Sequence, residues 1–181
     1  MEARRGAAPK RKTAKPNLRI KGSAPGARTR VATSESVPTA MIVNRQRRVP
    51  VAIHPLRQFY ERVRRELGWA PDSVTIQLVS DANMARLNEK YRKKQGPTDV
   101  LSFPVNGARP AKGAGYIGDI AISPETARRN ARRFSRSLPV EMRILILHGM
   151  IHLAGFDHDA DHGEMDRLER RLRKRLGVAA R

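Results

Sequence analysis

The stretch from Pro139 to His158 constrains the fold more than any other part of this chain. Val140, Ile144, Leu147 and Ile151 recur at helical spacing, and Pro139 and Glu141 suit a first helical turn. The spacing predicts a helix with an apolar stripe. His148 and His152 lie four residues apart beside that stripe, so they share one face and are expected to be half-buried. Gly155 suits the left-handed residue that ends a helix. A turn there brings His158 back toward the same point. Three neutral imidazoles around an ion with one open position describe a catalytic zinc site, with one Zn2+ per chain. Any fold for this sequence has to carry that helix with one flank open to solvent.

Composition narrows the alternatives. A length of 181 residues fits one domain plus a tail. With no Cys, neither a disulfide framework nor a thiolate metal site is possible, which agrees with a reducing compartment. No apolar run approaches the roughly 18–20 residues needed to span a bilayer, and no apolar segment follows the basic start as a secretory signal requires. A net charge of +20 points to polyanions, nucleic acid above all.

Residues 1–38 carry ten Lys and Arg against Glu2 and Glu35, with almost no large apolar side chains. Such a segment cannot bury enough surface to offset its ordering entropy, so a disordered basic tail is expected, suited to lie on phosphates. Its scattered Pro and Gly break the amphipathic helix of a transit peptide. A single domain is expected over 39–178.

Within it, Ala40 to Pro50 reads as a first strand. A helix beginning at Pro55 and ending at Gly68 follows, then an alternating strand, Val74 to Val79. Asp81 suits the N-cap of the next helix, which carries Met84, Leu87 and Tyr91. The basic cluster Lys90-Tyr91-Arg92-Lys93-Lys94 leads into an apolar strand, Val100 to Phe103, closed by Pro104. A second short strand spans Gly115 to Ile122, where early glycines permit close approach to the backbone. Ser123-Pro124 opens an Arg-rich helix whose Arg128, Arg129, Arg132 and Arg133 form a second phosphate-contact patch. Asp161 and Glu164 resemble a capping box before the last helix, lined by Met165, Leu168, Leu172 and Leu176. Asp157, Asp159 and His162 are candidates for contacts that orient the imidazoles. The order of elements implies an α+β domain, a small mixed sheet packed with about five helices.

The spacing H-x-x-x-H-x-x-G-x-x-H resembles that of the metzincin proteases, except that Gly149 stands where those enzymes carry the general-base Glu. The metal cage is present and the peptidase base is not. Three segments together resemble another family. They are Leu87 to Lys94 with Pro97-Thr98-Asp99-Val100-Leu101-Ser102-Phe103-Pro104, then Gly118-Asp119-Ile120-Ala121-Ile122-Ser123, then the histidine stretch through Gly155-Phe156-Asp157-His158. From about Met41 to Leu176 the chain is similar to the YbeY-type ribosomal RNA maturation factors, zinc-dependent single-strand endoribonucleases of bacteria. The resemblance implies a zincin-like metal helix, with His148, His152 and His158 on Zn2+ and Arg92 on the family's functionally important Arg. It also implies a cytoplasmic bacterial protein that acts on ribosomal RNA (16S 3′-end processing) and on small-subunit quality control. Gln95 in place of an acidic residue and Phe156 in place of Tyr are its mild departures. The tail lies outside the family pattern.

Three neutral ligands leave the ion's full charge available, which lowers the pKa of bound water to about 7. Arg92 is expected to clamp the scissile phosphate with its planar fork. His148 and Arg92 are therefore the candidate catalytic residues, while Lys93, Lys94 and the Arg128–Arg133 helix would track single-stranded RNA. The sequence leaves open whether water or a ribose 2′-OH attacks, which group is the general base, and the oligomeric state. Two rival readings remain at this level, an RNA-binding ribosome-assembly factor with a mainly structural zinc, and a metallopeptidase.

Overall fold

The computed structural model describes residues 42–105, 110, 115–156 and 163–178, so the expected tail over residues 1–38 lies outside the described residues. The described elements run β1 (Ile42–Asn44), α1 (Ile53–Leu67), β2 (Val74–Leu78), α2 (Asp81–Arg92), β3 (Val100–Pro104), β4 (Gly118–Ile122), α3 (Pro124–Arg133), α4 (Leu138–Leu153) and α5 (Glu164–Leu176). The architecture is α+β, as the pattern of elements implied.

The four strands form one mixed sheet in the order β1-β2-β4-β3. β1, β2 and β4 run parallel, and β3 is antiparallel to β4 at one edge. Alternation sends the residues of β3 to two sides. Leu101 and Phe103 pack with Val79, Met84 and Ala121 beneath α2. Val100 packs into the larger core instead, and Ser102 Oγ donates to the Gly149 carbonyl of α4 at 3.0 Å. The edge strand is thus held between α2 on one face and α4 on the other.

α4 is buried nearly all round. Beyond the expected stripe, Met142, Leu145, Ile146 and Met150 are also buried. Its approach to the sheet explains Gly149, since a Cβ there would meet the Ile120 methyls at 3.0 and 3.1 Å and Ser102 Oγ at 3.2 Å. Gly118 is required for the same kind of reason, because a Cβ would collide with the Phe103 carbonyl. Gly115 faces open space, so the close approach expected of both glycines holds for one.

Several local expectations are corrected. β1 is three residues long, because Gln46 turns the chain by bonding the Val49 amide and carbonyl, each at 2.9 Å. α1 starts at Ile53, two residues before Pro55, which sits in the first turn, where a missing N–H costs no helical bond. The N-cap of α2 is Ser80, whose hydroxyl accepts from the Asn83 amide, and Asp81 is the first helical residue. The Asp81 carboxylate is committed elsewhere, to Ser123, Thr126 and Arg129 of the α3 region. β4 begins at Gly118, where pairing with both neighbours starts. Gly163 holds the N-cap position of α5 at φ 81°, so the helix starts at Glu164, the last residue of the expected capping box, and Asp161 lies outside the described residues.

Candidate active site

The C-terminal half of α4 projects two imidazoles to the rim of the sheet. His148 and His152 are each half-buried. Their rings stand edge to face with centroids 4.6 Å apart, and their Nε2 atoms face each other at 3.1 Å. Each ring is fixed from behind. His152 Nδ1 lies 3.0 Å from the Phe156 carbonyl, which can only accept, so Nδ1 carries the proton. His148 Nδ1 lies 3.1 Å from Glu169 Oε2 on α5 and donates to that carboxylate. With both Nδ1 atoms bonded from behind, the two Nε2 atoms are the ring positions turned toward each other.

The fit to a metal can be tested on this geometry. Two nitrogen ligands at about 2.0–2.1 Å from a tetrahedral zinc ion lie roughly 3.3 Å apart, close to the observed 3.1 Å. The Nδ1–H bonds to a carboxylate and a backbone carbonyl are the partners that ligating histidines normally have. The two residues fit zinc. Among the described residues no group of three possible ligands is gathered. The expected third ligand, His158, lies outside the described residues, as do Asp157, Asp159 and His162.

Glu169 is the residue that sequence reasoning missed. It is buried, 7 % exposed, on the face of α5 that also buries Met165, Leu172 and Leu176. Burial pushes its carboxyl up, but the hydrogen bond from His148 and the charge of Arg173 outweigh this and hold it below the usual range. Its signal was available, because an acidic residue four after Met165 and three before Leu172 falls on the inner stripe.

Arg92, from α2, lines the same cleft as the two histidines. It is the last residue of α2, and Lys93 follows in the left-handed conformation, φ 57°. The Asn88 amide donates to the Gly96 carbonyl at 2.9 Å and ties the following loop back to the helix. A cleft of about 510 Å³ results, lined by Arg92 and Tyr91, by the whole of β3, and by His148, His152 and Phe156. Tyr91 and Phe103, both in its lining, pack edge to face with ring centroids 5.0 Å apart.

The remaining predicted cations are dispersed. Lys93 and Lys94 are exposed beside Arg92. Arg128, Arg129, Arg132 and Arg133 are exposed on α3, and neither they nor the two lysines line the cleft. Arg129 is engaged by Asp81 at 2.7 Å.

Comparison with known proteins adds the family. The profile described as Endoribonuclease YbeY matches residues 41–177. A protein of Solibacter usitatus called Endoribonuclease YbeY is 40 % identical over 134 residues, covering 73 % of this chain and 86 % of its own. One of Koribacter versatilis with the same name is 41 % identical over 136 residues, covering 75 % and 85 %. The solution structure of TM1509 from Thermotoga maritima superposes with a TM-score of 0.53 at 27 % identity, over 76 % of this chain and 88 % of that one.

Proposed function

Because this chain belongs to the YbeY endoribonuclease family, we propose that it is a zinc-dependent endoribonuclease that cuts single-stranded RNA during ribosomal RNA maturation and ribosome quality control. The observation that carries the reading is the convergence of two Nε2 atoms, 3.1 Å apart, in a cleft that Arg92 also lines. His148 and His152 would hold the ion, with His158 proposed as the third ligand. Zinc supplies positive charge at the scissile phosphate and lowers the pKa of water.

The chain's own residues do the rest. Glu169 and the Phe156 carbonyl hold the Nδ1 side of the two imidazoles and so fix which ring nitrogens face the cleft. Arg92, always charged and planar, binds the phosphate bidentately. Lys93, Lys94 and the arginines of α3 would attract the flanking backbone electrostatically. The peptidase alternative is disfavoured by packing as well as by residue type. Gly149 is buried against Ile120 and Ser102, so a side chain at the position where a peptidase carries its base would press on both.

The test couples metal to cleavage. Metal analysis of the purified chain is expected to find about one zinc ion per molecule, lost when His148→Ala and His152→Ala are combined. Arg92→Glu is expected to abolish cleavage of single-stranded RNA with zinc retained. Full metal in the double variant, or full cleavage by Arg92→Glu, would sink this reading.

A further inference from the structure

The cleft runs along the edge of β3 that no described strand pairs, and the register says what that edge offers. Asp99 accepts from the Ser123 amide at 2.8 Å, and the Val105 amide donates to Ile117 at 2.9 Å. With Leu101 opposite Ala121 and Phe103 opposite Asp119, the odd residues turn their amides and carbonyls toward β4. The even residues, Val100, Ser102 and Pro104, therefore turn theirs outward into the cleft.

An exposed edge normally presents alternating donors and acceptors and recruits another extended peptide. This one is depleted of donors. The Val100 amide is consumed by the Asp99 side chain at 2.9 Å. Pro104 has no amide hydrogen. What remains outward is a single donor, the Ser102 amide, among three carbonyl acceptors. Ser102 is also the strand residue tied to α4, through Gly149, the neighbour of His148. A peptide strand finds two of its three acceptor-side partners missing there. A ligand rich in hydrogen-bond donors does not.

Resting on the reading that this cleft takes RNA, we propose that the outward carbonyls of Val100, Ser102 and Pro104 read the ribose 2′-hydroxyls of the bound strand, and so select RNA over DNA. The 2′-OH is the donor that RNA has and DNA lacks. Arg92 lines the same cleft, and a phosphate held there would leave the adjoining sugar to the carbonyls of β3. The edge that excludes a peptide is thus the edge that recognises a ribose.

The experiment compares single-stranded RNA with DNA of the same sequence, binding to the intact zinc-loaded chain on ice before detectable cleavage. Hydrogen exchange of the Ser102 amide reports on the edge. RNA is expected to bind about tenfold more tightly, the effect of one or two net hydrogen bonds, and to slow exchange at Ser102 where DNA does not. A scan of single 2′-deoxy substitutions is expected to confine the loss to one or two adjacent positions. Equal affinities, or RNA bound with Ser102 unmoved, overturn the edge assignment while leaving the nuclease reading intact. Protection of Ser102 by an extended peptide overturns it in favour of strand addition. Failure to bind or cleave RNA at all removes the nuclease reading itself.

Discussion

Glu169 shows how one side chain couples two helices at the candidate site. A buried carboxylate would be destabilising alone, but here it accepts from His148 and from Arg173 on its own helix. The arrangement links the position of α5 to the tautomer of a histidine on α4. Replacing Glu169 with Gln keeps the shape and removes the charge. Zinc affinity, measured by competition with a chelator, is expected to fall by about 10–100-fold, and the nitrogen shifts of His148 are expected to show mixed tautomers. Unchanged affinity would leave Glu169 a packing residue only. Gly149 works in the opposite sense. It contributes no side chain, and that absence lets α4 approach Ile120 and Ser102 closely enough to bring both imidazoles to the rim.

At the scale of elements, the helices were largely predictable because their periodicity is local, while their junctions were not. Asp81 is the clearest case. Read alone it resembles an N-cap, yet its carboxylate joins the start of α2 to Ser123, Thr126 and Arg129. Glu125 returns the link by accepting from the Asp81 amide at 2.8 Å. Burial raises the Asp81 carboxyl, but the bonds from Arg129, Ser123 and Thr126 outweigh this and hold it below its ordinary value. A carboxyl depressed in the folded state stabilises the fold fully above its unfolded pKa, about 3.9. That contribution is lost as pH falls through the lower folded value. Thermal melts are therefore expected to show the Asp81→Asn variant less stable by about 1–3 kcal/mol near neutrality. The gap to wild type should narrow below about pH 4. A constant gap across that range would contradict the assignment. α4 carries the complementary lesson. Its stripe was legible, but burial on nearly every side follows from lying against the sheet and three other helices, α1, α3 and α5.

For the whole molecule, charge dominates. A net +20 on 181 residues makes RNA binding strongly dependent on salt. The slope of log affinity against log salt is expected to be about −0.7 per phosphate neutralised on a single strand. Removing residues 1–38, which carry a net +8, is expected to leave the domain folded, since the family profile spans 41–177, and to make that slope shallower. An unchanged slope would take the tail out of RNA binding. The sequence by itself determined the α+β class, the order of the elements, the histidine helix and the basic character, because each rests on local periodicity, residue chemistry or a sum of charges. Only the tertiary structure decided that Arg92 shares a cleft with the histidines, that Glu169 backs His148, and that β3 turns a donor-poor edge outward into that cleft. Those facts join residues from 21 to 60 positions apart, and side-chain pattern along one segment carries no record of which distant segment it will meet.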